Sequence, residues 1–473
     1  MLNGLNYIAG EWKDGTEHIQ VINPYSDDAI GTVPKASKRD IETACQAATD
    51  GFDISRILTA HERAEILDRA SRTIKKNEQE LAHVIALESG KPMKYARGEA
   101  KRAHETFKFA SAEARHIYGE VIPMDAASRG KDYFGFYQRV PRGVLLAITP
   151  FNFPLNLVAH KLAPAIAAGN SIILKPASVT PLTAFKLVQI LEDSGLPPGS
   201  LNIIYGAGST VGMPLVKDDR IQMVTFTGSL PVGETIKREA GFKTVTLELG
   251  NNAAVVVEDM DNLEEVVDRL IIGAFAYSGQ VCISVQRIYV NRAHFEDFLS
   301  AFVAKAEKQR MGDPLEDTTD IGPMISPAET KRVLEWINEA TAMGAEVACG
   351  GGREGNMVQP TVLINTTREM RVMKDEVFGP VVSIVPYDAY EQGLAMANDT
   401  KYGLQAAVYT RDVQKIMRAV DTINVGGLIV NDYPTFRVDH MPYGGVRKSG
   451  MGREGLRYAI EEMTEMKLVV IKR

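Results

Sequence analysis

A chain of 473 residues, 45% hydrophobic and 24% charged, has the composition of an ordinary globular protein. It is long enough for two or three domains, since a single core stops growing near ~250–300 residues. The net charge of −7, from 53 basic and 60 acidic side chains, excludes a basic footprint for nucleic acid or an anionic membrane. No apolar run approaches the ~20 residues that span a bilayer. The opening MLNGLNYIAGEWKDG carries early charges and no apolar signal core, so a cytoplasmic protein is expected. Cys45, Cys282 and Cys349 form neither a metal spacing nor a disulfide framework, which suits a reducing compartment.

Residues 7–12 read as a short strand, with turns at Asp14-Gly15 and Asn23-Pro24. From 37 to about 117 apolar residues recur at helical spacing (Ala60, Ala64, Leu67; Ile66, Ala70). Residues 133–139 are aromatic-rich and suit an exposed or edge strand. Strands at 144–148, 171–174, 201–205, 223–226 and 244–249 then alternate with helices at 154–168, 181–194, 210–216 and 232–240. That alternation predicts a parallel, doubly wound sheet, which binds its ligands beyond the carboxyl ends of its strands. A second α/β section follows residue 252. Its strands are expected at 253–257, 288–290, 381–385, 407–409 and 427–430, and helices at 263–277, 293–309 and 327–343. The tail, 467–472, is strand-like with nothing local to pair with, so it is expected to join a neighbouring subunit's sheet.

Cys282 is the candidate nucleophile. It sits in AFAYSGQVCISVQR (274–287), between a helical segment and a strand, among small residues that let a substrate and a flat ring come close. A thiolate attacks, and a positive potential or a nearby base raises its fraction. A lone cysteine is more often a small buried hydrophobe. Four further stretches lift Cys282 above that reading. TPFNFP (149–154), KPAS (175–178), FTGSLPVG (226–233) and ELG (248–250) all follow strands of the parallel section.

Together with EVFGP (376–380) and PYGGVRKSG (442–450), these stretches make the chain resemble the aldehyde dehydrogenase superfamily from near its N-terminus to its tail. The resemblance implies a Rossmann-like cofactor domain (1–117 and 139–251), an α/β catalytic domain (252–455) and a small β oligomerisation arm (118–138 and 456–473), in a homodimer or homotetramer. It implies that Cys282 forms a thiohemiacetal and then a thioester, that Asn152 and the Cys282 backbone N–H bind the oxyanion, and that Glu248 activates water. It places NAD(P) against Thr149, Pro150, Phe151, Lys175, Ser178, Gly228, Ser229, Leu249, Glu376 and Phe378, with no metal. In NAD-preferring relatives an acidic residue often stands at the position of Ser178, so Lys175 and Ser178 are expected to tolerate the 2′-phosphate of NADP. The glycines of GAGSTVG (206–212) look like a dinucleotide fingerprint, but the resemblance makes that loop structural.

FNFPLNL (151–157) resembles the subgroup acting on lactaldehyde, glyceraldehyde 3-phosphate, and phosphono- or sulfo-aldehydes. Arg102 and Arg437, the latter in a loop expected at the substrate entrance, are the candidate anion binders; surface salt bridges are the plainer reading of both. His160 is expected to be a packing histidine. Two departures stand out: Asn251 replaces the usual glycine after Glu-Leu-Gly, and Leu230-Pro231 follows the Gly-Ser turn. A CoA-acylating enzyme or a dehydrogenase of apolar aldehydes is the alternative, and Glu248 argues against the first.

Overall fold

The computed structural model describes residues 2–473. Five parallel strands form the centre of an eight-stranded sheet, in the spatial order Thr244–Glu248, Ile221–Thr227, Val144–Ile148, Ser171–Lys175, Leu201–Ile203. Successive residues point to opposite faces. Leu145, Ala147, Ile172 and Leu174 enter one core with the helices Ala60–Lys76, Met93–Glu113, Asn156–Ala168 and Leu182–Asp193. Val144, Leu146, Ile148 and Ile173 enter the other, with Lys38–Ser55 and Leu230–Glu239. Both faces are covered, which is why the central strand Val144–Ile148 is apolar throughout rather than alternating.

The second section forms a seven-stranded sheet, in the order Glu346–Cys349, Thr361–Ile364, Val381–Tyr387, Val285–Asn291, Ala253–Val257, Gln405–Tyr409, Gly427–Val430. The first two of these strands are absent from the expected set. Both are four residues long, and periodicity says little over so few positions. Helices Tyr390–Asn398, Val413–Thr422 and Leu456–Glu462 also lie outside the expected set.

Four expectations are corrected. Residues 7–12 are not one strand but a hairpin of Asn6–Ile8 and Glu11–Lys13. Its turn is at Ala9-Gly10, whose φ values of 58 and 83° match the two left-handed positions of a tight hairpin. The helix expected from residue 154 begins at Asn156. The tail does find a partner in its own chain: Thr464–Lys472 pairs antiparallel with Tyr133–Pro141 along its whole length. Tyr133–Pro141 is therefore the middle strand, not an edge, because Glu120–Ile122 pairs with its other side. More than 300 residues separate Thr464 from Pro141 in sequence, so no local signal marks the pairing. Among the described residues no helix is long and apolar enough to cross a membrane.

Candidate active site

The sheet register places the expected cofactor residues in a row. Lys175 lies opposite Ile148, Ile148 opposite Phe226, and Thr227 opposite Glu248. The segments that continue past these ends, from Thr149 and from Gly228, leave the same edge of the sheet. The row fits a dinucleotide. The hydroxyls of Thr149 and Thr227 are buried without a partner among the described residues, which is costly unless a ligand or water meets them. Lys175 is buried and, among the described residues, its ammonium meets only the Pro176 carbonyl, at 3.0 Å. Burial lowers it to about 8. Ser178 is half-buried and donates to the Gly206 carbonyl at 3.1 Å. Gly206 and Gly212 serve locally, and a Cβ on Gly212 would sit 3.4 Å from Lys175 Cδ.

Ser229 is the N-cap of Leu230–Glu239 but makes no side-chain cap bond. The first-turn N–H groups and the helix dipole are left for an anion. Pro231 falls in that first turn, where its missing N–H costs nothing. Gly228 keeps the approach open, since a Cβ there would meet the Phe226 ring at 2.5 Å. Leu249 is buried beneath this helix, against Gly233. From the second sheet Glu376 accepts from the Asn251 N–H at 2.9 Å, and loss of solvent raises its carboxyl to about 7. Gly250 is required there, because a Cβ would approach Glu376 Oε2 to 2.3 Å. Asn251 is tolerated in place of glycine: its φ is not left-handed, and its amide donates to the Gln405 carbonyl at 3.1 Å. Phe378 has φ 48°, and its ring stands edge-on to Phe151 at 5.8 Å, which joins the two motifs across the cleft.

Cys282 is delivered by a reversal of the chain. Helix Leu263–Phe275 ends, and Tyr277, Ser278 and Gly279 follow with φ values of 51, 54 and 69°. Left-handed backbone costs a non-glycine residue ~1–2 kcal/mol. Here it is held by Tyr277 Oη donating to the Ser89 carbonyl (2.9 Å) and Ser278 Oγ to the Gly322 carbonyl (2.7 Å). A side chain on Gly279 would strike the Gly379 carbonyl at 2.1 Å, so the Cys282 turn and the Glu376–Phe378 loop are packed backbone to backbone. The Cys282 sulfur reaches a cavity of about 350 Å³ and lies 3.1 Å from Tyr443 Oη. Removal from solvent pushes the thiol up to about 12, opposed by the Tyr443 hydrogen bond.

Asn152 is buried, and its amide donates to the Gln280 carbonyl at 3.0 Å, which leaves one amide N–H unused. Its own carbonyl accepts from Lys91 Nζ at 2.7 Å. Lys91 is ion-paired to Glu99, whose other oxygen accepts from the N–H groups of Leu155 (2.8 Å) and Asn156 (3.1 Å). That carboxylate caps the next helix and fixes its start at Asn156. Glu248 is 3% exposed, and neither carboxyl oxygen has a hydrogen-bond partner among the described residues. Burial, then the Glu454 charge, raise it well above the usual carboxylate range, against Arg437, Lys161 and Arg453. Burial would raise Glu454 too, but Lys161 (3.1 Å) and Arg437 (3.0 Å) hold it at about 2.

The two expected anion binders lie at this cavity and both are already ion-paired. Arg102, 27% exposed, makes a two-pronged bond to Asp439 (2.7 and 3.2 Å). Arg437 is not at an open entrance. It is 7% exposed, bound to Glu454 and stacked 3.7 Å over the Tyr443 ring. Both of its partners are joined to each other by a backbone bridge between Tyr443 and Glu454. His160 is buried, as a packing residue would be, but bonds Asp439 at 2.8 Å. Tyr443, Lys91, Glu99, Lys161, Asp439 and Glu454 are members of the site that the sequence reading missed. Only Tyr443 carried a signal, as part of PYGGVRKSG. Among the described residues no His, Cys, Asp and Glu cluster suits a metal.

The aldehyde dehydrogenase family matches residues 12–469. The 3-sulfolactaldehyde dehydrogenase of Priestia megaterium is 44% identical over 465 residues, covering 98% of this chain and 97% of the relative. Aldehyde dehydrogenase 21 from Physcomitrella patens, solved in complex with the reaction product succinate, superposes with a TM-score of 0.98 at 40% identity, covering 99% of this chain and 98% of that one. Glyceraldehyde-3-phosphate dehydrogenase from Methanocaldococcus jannaschii, complexed with NADP, gives a TM-score of 0.93 at 39% identity, covering 97% and 100%. A match across nearly the whole length, with a relative 44% identical over 465 residues, leaves one conclusion: the chain is an oxidoreductase that belongs to the aldehyde dehydrogenase family.

Proposed function

We propose that this chain oxidises a short polar or anionic aldehyde to its carboxylate, accepting NADP and also NAD. The observation that carries the reading is the Cys282 thiol opening onto a cavity whose wall includes Arg102, Thr435 and Tyr443. The relatives named for sulfolactaldehyde and lactaldehyde support the substrate class, and the uncountered Lys175 beside Ser178 supports NADP. In this reading Cys282 attacks the aldehyde carbon, and the free N–H of Asn152, with the Cys282 backbone N–H, meets the oxyanion. Each such donor is worth about 3 kcal/mol of barrier. Held along Lys175, Ser178, Gly228 and Ser229, NAD(P) would supply the hydride acceptor for this oxidation. Glu248, once deprotonated, draws the proton from a water that splits the thioester, and the carboxylate leaves. Burial, and then the charge of Glu454 held between Lys161 and Arg437, raise the Glu248 carboxyl and favour its protonated form.

We assign residues 1–117 with 139–251 to cofactor binding, 252–455 to catalysis, and 118–138 with 456–473 to an arm. The arm's outer strand exposes Met466 (66%), Leu468 (59%) and Val470 (45%) and has a free edge, which supports a homodimer or homotetramer built on it. Light scattering should then give two or four times the 51.8 kDa chain; a monomer removes the arm's role.

The test is a panel of lactaldehyde, succinate semialdehyde, glyceraldehyde 3-phosphate and a long apolar aldehyde, with NAD and NADP separately and without CoA. Turnover of the small polar members with NADP is expected. A strong preference for NAD refutes the cofactor reading, and turnover only of the apolar aldehyde refutes the substrate class. Arg102→Ala is expected to raise KM for an anionic aldehyde by about ten- to hundredfold, the scale of a hydrogen bond to a charged group, and to spare lactaldehyde. Equal effects on both would remove Arg102 from substrate recognition.

A further inference from the structure

We propose that Tyr443 is a further catalytic residue, whose phenol O–H donates to the Cys282 sulfur and holds it as the attacking thiolate. The proposal rests on Cys282 being the nucleophile and adds the group that makes it one. Tyr443 is buried, and the sulfur, at 3.1 Å, is the one hydrogen-bond partner of its hydroxyl among the described residues. A buried hydroxyl keeps a partner, and once the thiol ionises the only bond left between the two is O–H to S⁻. The S–H proton leaves through the cavity to solvent water, and the phenol keeps its own.

The surroundings strengthen this donor. The Arg437 guanidinium lies 3.7 Å over the phenol ring. There it is attracted by the ring face, draws density from the O–H, and adds positive potential near the sulfur. Its place is fixed twice. Glu454 pairs with Arg437 at 3.0 Å, and the backbone N–H and C=O of Tyr443 bond those of Glu454 at 3.1 and 2.6 Å. Tyr443, Arg437 and Glu454 thus form one rigid unit aimed at Cys282. The other ionisable groups felt by the sulfur are Glu376 and Glu248, both of which oppose the thiolate, and Arg437, which favours it. Against burial and two carboxyls, the phenol is the direct contact on the thiolate's side. Charge-assisted hydrogen bonds of this kind are about twice as strong as neutral ones.

The test is alkylation of the cofactor-free protein by iodoacetamide across a pH series, with Cys282 read by peptide mass. The S–C bond forms as iodide leaves, so the rate follows the thiolate fraction. Tyr443→Phe keeps the ring and the Arg437 stack, so the fold is expected to persist. Its profile should move up by about one pH unit, which makes alkylation about tenfold slower below the midpoint. An unmoved or lowered profile overturns the role. Ultraviolet absorbance of the thiolate, with Cys282→Ala as the blank, titrates the same group independently and must show the same displacement. Neither readout needs an aldehyde or a dinucleotide. A moved profile in a protein that oxidises none of the panel sinks the proposed function and keeps Tyr443's effect on the thiolate. An unmoved profile in an active enzyme does the reverse.

Discussion

Cys282→Ala is expected to abolish aldehyde oxidation, with kcat down by on the order of 10⁵-fold or more, the scale of removing a covalent nucleophile elsewhere. In the proposed mechanism the sulfur forms the bond that turns the flat aldehyde carbon tetrahedral, and among the described residues no second thiol lines the cavity. Cys45 is enclosed in a core of the first sheet and Cys349 in a core of the second, so neither thiol lines the cavity. The residues expected to hold the dinucleotide stay in place, so its affinity by calorimetry should not change. Loss of iodoacetamide labelling together with loss of turnover is the expected pair of results. Turnover surviving at wild-type rates would show that the chemistry lies elsewhere.

Glu248→Gln is expected to slow hydrolytic turnover by ~10²–10⁴-fold, the usual worth of a general base, while acylation persists. Stopped-flow absorbance should show a burst of reduced nicotinamide and then slow turnover; a missing burst would move Glu248 to the step before the thioester. The pH dependence has a definite sign. Glu248's pKa is raised by burial and by Glu454, so wild-type deacylation should accelerate with rising pH as the proton leaves, and the Gln variant should lose that rise. Stability has the opposite sign. A carboxyl raised on folding is fully tolerated below the unfolded carboxylate's pKa, and stability falls as pH climbs from there to the folded value. The Gln variant has no proton to hold, so its Tm advantage should grow from pH 5 upward. An advantage that is constant with pH would mean that Glu248 is ionised in the folded protein.

The strand–helix order of 144–249 and the motifs at the strand ends were legible because they are written locally. A buried parallel strand must be apolar on both faces, and the segment after it must turn toward the ligand edge. Those two demands place Thr149, Lys175, Gly228 and Glu248 on one edge of the sheet, where the register has them. The four-residue strands Glu346–Cys349 and Thr361–Ile364 were not legible, because their pairing, rather than their composition, makes them strands.

The sequence by itself determined the family and the parallel sheet, and it singled out the Cys282 thiol and the Glu248 carboxyl as the candidate reacting groups. Each is a residue type that the chemistry demands, at a position that local backbone rules specify. Tertiary structure decided what those groups are electrically. Cys282 meets Tyr443 across 161 residues and Arg102 meets Asp439 across 337. These partners make Arg102 an ion-paired arginine, as its plainer reading had it, and Cys282 a hydrogen-bonded thiol. The physical reason is range. Backbone propensity and periodicity act over a few residues, whereas desolvation and charge act through space on whatever the fold brings within about 4 Å.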